Sequence, residues 1–144
     1  MKSLYLAFSL SLSLVTNAWA TDPNASSAML DGTWRAVAAE RNGAAAPDLM
    51  GHELVFTKDR FQITHDGKLL YGGTYLTDFS AQPARIAFRQ IEGSTLRGEW
   101  KGIYRFGSGR LEIIDNADDM SKPWPTRFVT TPGSGYVLLQ LEPK

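Results

Sequence analysis

The chain has 144 residues, 15 basic and 15 acidic side chains, no cysteine and a hydrophobic fraction of 43%. The length suits one domain with a modest core, and the balanced charge argues against an electrostatic nucleic-acid binder, which needs a clustered basic excess. Without cysteine there is neither thiol chemistry nor a disulfide to reinforce a thin core, so stability has to come from packing and sheet closure.

In chain order, residues 1–20 carry a positive start at Lys2, an apolar run from Leu4 to Val15 broken only by serines, and the small-residue box Ala18-Trp19-Ala20. These are the three parts of a secretory signal peptide, with cleavage expected after Ala20. The apolar run falls short of the roughly 20 residues that cross a bilayer, so no membrane span is expected in the mature chain. An exported protein, periplasmic or secreted, is the expectation. Residues 21–29 are mostly small and polar, contain Pro23 and hold no apolar period, which predicts a disordered leader. Residues 30–144 are then the folded domain.

From Leu30 onward the chain breaks into short runs rich in β-branched and aromatic residues, separated by Gly, Asp, Asn and Pro. Strands are predicted over Thr33 to Glu40, Glu53 to Thr57, Arg60 to His65, Leu69 to Thr77, Arg85 to Ile91, Leu96 to Phe106, Arg110 to Asp115 and Tyr136 to Glu142. The separating turns include Asn42-Gly43, Lys58-Asp59, Asp66-Gly67 and Gly107-Ser108-Gly109. In the sixth run Trp100, Gly102, Tyr104 and Phe106 alternate with Glu99, Lys101 and Arg105, a period of two, with Ile103 the exception. Helix is expected to be minor, with at most a turn in Ala44 to Met50. Eight up-and-down strands can close into a small antiparallel β-barrel, which removes exposed sheet edges. Gly72-Gly73, Gly98 and Gly102 inside strands allow the bends that closure needs, or a close backbone approach to a ligand.

The segment Leu30-Asp31-Gly32-Thr33-Trp34-Arg35 and the ordered series Gly73-Thr74-Tyr75, Gly102-Ile103-Tyr104, Pro125-Thr126-Arg127-Phe128 and Pro132-Gly133-Ser134-Gly135 carry a resemblance. Gly32-Thr33-Trp34 looks like the G-x-W of the first strand of lipocalins, where the tryptophan closes one barrel end. The whole series resembles a family of uncharacterised, exported bacterial lipocalin-like domains, best known for many copies in planctomycetes. The resemblance implies an all-β, lipocalin-like barrel and transfers no catalytic residue. It also implies a largely buried Trp34 with a late basic residue, Arg127, stacked near it.

Constellations for chemistry are thin. His52-Glu53 lacks the second histidine of H-E-x-x-H, and His65 beside Asp66-Gly67 reads as a turn residue, so no metal and no cofactor is expected. Asp115-Asn116-Ala117-Asp118-Asp119 has the wrong residues for a calcium loop and reads as a solvated loop. Neither Gly107-Ser108-Gly109 nor Gly133-Ser134-Gly135 is a nucleophile elbow, and no enzyme is expected. Arg85, Arg89, Arg97, Arg105 and Arg110 should face solvent, forming a basic stripe if the hairpins align them. The leading functional expectation is a monomeric binder of a small apolar molecule. Trp34, Phe56, Phe61, Tyr75, Phe88, Trp100 and Tyr104 are the candidate lining, and Trp124, held extended between two prolines, is a candidate cap of the mouth. A site for such a ligand calls for a connected cavity of at least about 300 Å³. The alternative is a protein-interaction module, an inhibitor of an exported hydrolase or an envelope assembly factor, with a packed interior and active loops.

Overall fold

The computed structural model describes residues 27–93 and 98–144. The expected signal peptide, residues 21–26 of the expected leader, and Leu96 and Arg97 of the sixth predicted strand lie outside the described residues. The strands are β1 (Gly32–Arg41), β2 (Ala44–Ala45), β3 (Glu53–Thr57), β4 (Arg60–His65), β5 (Lys68–Asp78), β6 (Ala84–Gly93), β7 (Glu99–Gly107), β8 (Arg110–Asp115) and β9 (Val137–Pro143). Each pairs antiparallel with its neighbour, β1 pairs directly with β3, and β9 returns to β1, so β1 and β3–β9 close into an eight-stranded barrel. β2 is an added two-residue strand, zipped to the end of β1 through Glu40 and Arg41. All eight expected strands are present, three of them (β3, β4 and β8) with the expected ends.

Two details differ from expectation. The residues Ser27–Leu30 form a single 3₁₀ turn, overlapping the last three positions of the expected leader. The turn is fixed from inside: Leu30 is fully buried, and the Trp34 indole Nε1–H donates to its carbonyl at 2.8 Å. Within Ala44 to Met50, the helical turn is confined to Pro47–Leu49, because Ala44–Ala45 are taken up in the ladder with β1.

Closure shows in the backbone. Ladders shift register between Ala36 and Ala38, Ile63 and Thr64, and Gly72 and Gly73, which bends β1, β4 and β5. A Cβ on Gly73 would lie 1.8 Å from the Arg89 carbonyl oxygen, and one on Gly102 would lie 2.2 Å from that of Ile114. These glycines therefore admit a neighbouring strand rather than a ligand. Asn42, Asp66 and Ser108 take left-handed backbone conformations in the tight hairpin turns that the sequence marks.

Side chains alternate in and out as the period of two requires. Trp34, Phe56, Phe61, Tyr75, Ile86, Phe88, Trp100, Tyr104, Leu111, Ile113 and Leu141 belong to one buried cluster inside the barrel. Ile103, the exception to alternation in β7, is buried on the outer face with Ile114 and Leu138 in a second cluster. The long segment after β8 makes this possible by lying across the outside of β7–β9 and packing Phe128 and Tyr136 against them. It is held by the buried Asn116, whose Oδ1 accepts from the Lys101 N–H at 2.9 Å while its Nδ2 donates to the Lys122 carbonyl at 2.8 Å. The run Asp115 to Asp119 is thus a structural latch and not the expected solvated loop, since the side chains of Asp115 and Asn116 are buried, Asp115 at the inner end of β8 and Asn116 under that segment.

Candidate functional site

Because successive strands run in opposite directions, each barrel end is built from the ends of some strands and the beginnings of others. One end is closed: Trp34, Phe56, Tyr75 and Tyr104 pack there with Leu30 of the Ser27–Leu30 turn. Phe56 and Tyr75 make an edge contact with centroids 4.9 Å apart, and Phe106 packs at 5.8 Å from Trp34. The opposite end, the mouth, is open. A cavity of about 100 Å³ enters there, bounded in its depth by Leu54, Ile63, Phe88, Trp100, Ile113 and Leu141. Phe88 and Trp100 stack at 5.3 Å and 17° to form one wall, and Tyr71 meets the Trp100 edge at 5.7 Å.

The rim of the mouth is polar. Arg41, at the end of β1, is clamped by Asp48 through two contacts of 3.0 and 3.2 Å and lies 3.7 Å from Asp118. Hydrogen bonding to Asp48 raises the guanidinium pKa, and the same bond holds the Asp48 carboxyl below its usual range. Asp118 also accepts from the Asn42 side chain at 2.6 Å, which ties the late segment to the β1–β2 turn. Asp115, at the end of β8, is buried and accepts from the Ala117 N–H at 3.0 Å. His52 completes the rim, and the fold brings His65 to it, with ring centroids 4.7 Å apart. Burial first, and the neighbouring His65 second, hold the His52 imidazole below the ordinary histidine value, against the pull of Asp48. Among the described residues, no group of three or more His, Cys, Asp or Glu side chains is placed to hold a metal ion.

Of the eight candidate ligand residues, only Phe88 and Trp100 line this cavity. Trp34, Phe56, Tyr75 and Tyr104 are instead packed into the closed end, and Phe61 stands behind the wall, edge-on to Phe88 at 5.0 Å and to Trp100 at 5.6 Å, without lining the cavity. Trp124 is neither lining nor cap. It sits on the outer wall, 4.9 Å beneath the Arg85 guanidinium and 5.5 Å from the Lys101 ammonium, carried there by the segment that covers β7–β9. Arg127 does not stack on Trp34 and stands exposed on that same segment, while the neighbouring Phe128 takes Arg105 over its ring at 4.1 Å. The arginine stripe is largely neutralised across the strands, Arg89 by Glu99, Arg105 by Glu112 and Arg110 by Glu142. Arg41 and Tyr71 are ordinary in their own segments and nothing in the sequence singles them out, while His52 and Asp115 are weighed there only as metal ligands and set aside. The signal that finds them is topological: in an up-and-down barrel, the end of one strand and the beginning of the next share a rim.

At about 100 Å³ the cavity is a third of the lower limit, about 300 Å³, of sites for drug-sized ligands. An apolar cavity of about 150 Å³ holds benzene, so by proportion this one takes about four heavy atoms. Compared with protein-family models, with curated proteins and with solved structures, the chain matches none.

Proposed function

We propose that the protein is an exported binding module that seats a small amphiphilic molecule, or the short end of a longer one, in the mouth of the barrel. The observation that carries this is the asymmetry of the interior: one end is packed with aromatic rings, and the other holds an apolar cup of about 100 Å³ under a charged rim. The apolar portion of the ligand lies against Phe88, Trp100 and Leu54, and its polar portion stays at the rim with Arg41, His52 and Asp118. Burying four carbons there contributes about 3 kcal/mol before the costs of association, so affinity for the isolated fragment is no tighter than several millimolar. Export rests on the pattern at residues 1–20, and among the described residues no helix is long and apolar enough to cross a membrane.

The second reading, a protein-interaction module, draws on the filled closed end and on the large apolar side chains Leu76 and Phe79, exposed at the β5–β6 hairpin. One comparison separates the two. Ala36 lines the cup, and Ala36→Leu adds three carbons to a space sized for about four. A ligand-observed NMR screen of amphiphiles with four to eight heavy atoms should give hits for the full chain that disappear in Ala36→Leu, with the melting transition retained. Absence of hits in the unaltered protein, together with capture of an envelope partner, would support the interaction module instead.

A further inference from the structure

On the outer wall, Arg89, Arg105 and Arg110 each have a carboxylate oxygen within 3.3 Å, and Arg85 departs from that pattern. Its side chain has no ion-pair or hydrogen-bond partner among the described residues, and its guanidinium lies 4.9 Å from the centre of the Trp124 ring. The Lys101 ammonium is likewise without a carboxylate and lies 5.5 Å from the same ring. Register explains the convergence: Arg85 pairs with Ile103 and Ala87 with Lys101, so the two cations are diagonal neighbours on the outward face of β6 and β7. Like charges within reach across strands oppose each other until an anion is supplied. The carboxylates closest in the ladder are engaged elsewhere. Asp78, opposite Arg85 on β5, accepts at Oδ1 from the Ser80 hydroxyl and from the N–H groups of Ser80 and Ala81. Glu99, on the same face as Lys101, is held by Arg89 at 3.3 Å.

Trp124 is fixed where it stands. Asn116 Nδ2 donates to the Lys122 carbonyl at 2.8 Å and the Tyr136 hydroxyl to the Pro123 carbonyl at 3.1 Å, which anchors the chain just before the ring, and Pro125 after it is buried. The indole N–H has no acceptor among the described residues and stays open to solvent. A cation over a ring draws on the ring's quadrupole and keeps its own N–H donors free. Guanidinium, ammonium and indole N–H therefore form one cluster of donors to which the protein brings no acceptor. We propose that Arg85, Lys101 and Trp124 bind the phosphate or sulfate group of an organic ligand, at a site independent of the cup. A tetrahedral oxyanion presents three oxygens to donors arriving from different directions, where a carboxylate presents two. The body of the ligand has an apolar place to lie. Leu76, Ala87 and Lys101 form one row across three strands, and Leu76 is 76% exposed. At the usual strand spacing that row sets Leu76 about 10 Å from Lys101, with only the small Ala87 between them.

The test is an NMR titration of the full chain, read at the Trp124 indole N–H, with 2-naphthyl phosphate, inorganic phosphate and 2-naphthoate at constant ionic strength. Naphthyl phosphate should shift that signal saturably and bind at least about threefold more tightly than either of the other two, with affinity falling as salt is raised. The Trp100 indole, in the wall of the cup, should not follow it. Arg85→Gln and Lys101→Gln should each weaken naphthyl phosphate about fivefold, since each removes one charge-assisted contact at a half-exposed site. Arg127→Gln, which removes an exposed cation elsewhere on the covering segment, should leave its affinity unchanged within about twofold. A Trp124 signal that does not respond overturns the site, and so does a loss in Arg127→Gln equal to that in Arg85→Gln, which marks diffuse attraction to surface charge. Equal binding of 2-naphthoate overturns the assignment to phosphate or sulfate. The comparison of ligands uses the unaltered protein, so it stands even where a variant fails to fold.

Discussion

The two ends of the barrel are made by the same eight strands and differ in what the strands place inside. At the closed end Phe56 meets Tyr75 ring to ring, Trp34 and Tyr104 both pack against Phe106, and the buried Leu30 of the Ser27–Leu30 turn joins them, while Phe61 backs the Phe88–Trp100 wall from below. Toward the mouth the inward positions on β1, β3, β4 and β9 are smaller or aliphatic, Ala36, Leu54, Ile63 and Leu139, and the space they leave in front of the Phe88–Trp100 wall is the cup. On the proposed function, stability and binding are thus separated along the barrel axis. Substitutions at the closed end should act on folding and those at the mouth on ligand.

The largest effect should come from Trp34→Ala. It removes a buried ring, the hydrogen bond to Leu30 and the contact with Phe106, at a cost of about 3–5 kcal/mol measured as a shift in the urea midpoint. Arg127→Ala, at an exposed position, should stay within about 0.5 kcal/mol in the same measurement. A midpoint for Trp34→Ala no lower than that of Arg127→Ala would remove the distinction between a packed end and its surroundings.

Tyr75 gives a smaller effect with a distinctive pH signature. Its hydroxyl is buried without a hydrogen-bond partner, and burial first, then Asp31 and Asp59, push its pKa up to about 12 from the ordinary 10.0. The folded pKa is the higher one, so the unfolded chain loses the phenolic proton first. The stabilising difference is fully present below pH 10 and is lost as pH rises through about 12, on the order of 2–3 kcal/mol in all. Tyr75→Phe keeps the ring against Phe56 and should abolish this alkaline loss. At neutral pH it should leave stability unchanged or raise it by about 1 kcal/mol, since the hydroxyl it deletes is unpaired. Retention of the same alkaline loss in Tyr75→Phe would show that another group is responsible.

The barrel was legible because its determinants are local. A period of two in Trp100 to Phe106 and left-handed turns at Asn42-Gly43 and Asp66-Gly67 specify strands, their faces and their antiparallel neighbours. The site was not legible in the same way. Alternation reports which face a residue occupies but not its depth along the barrel, so Phe88 and Trp100 at the cup look no different from Phe56 and Tyr75 at the closed end. Depth depends on register, which is set by bulges such as that between Gly72 and Gly73. Trp124 lies in a segment without any period, between two prolines, and nothing local says that it will reach the outer wall. The outward Ile103 was the one local sign of that wall, but an outward apolar side chain does not by itself say that it will be covered, since Leu76, also outward, stays exposed.

Xenon tests the separation of the two ends most directly, because it enters dry apolar cavities and perturbs only the methyl groups around them. Under a few bar of xenon, methyl signals of Leu54, Ile63, Ile113 and Leu139 at the mouth should shift in a saturable manner, while those of Leu30, Ile86 and Leu111 at the closed end should not. Shifts at the closed end, or none at the mouth, would contradict the account of a barrel packed at one end and hollow at the other.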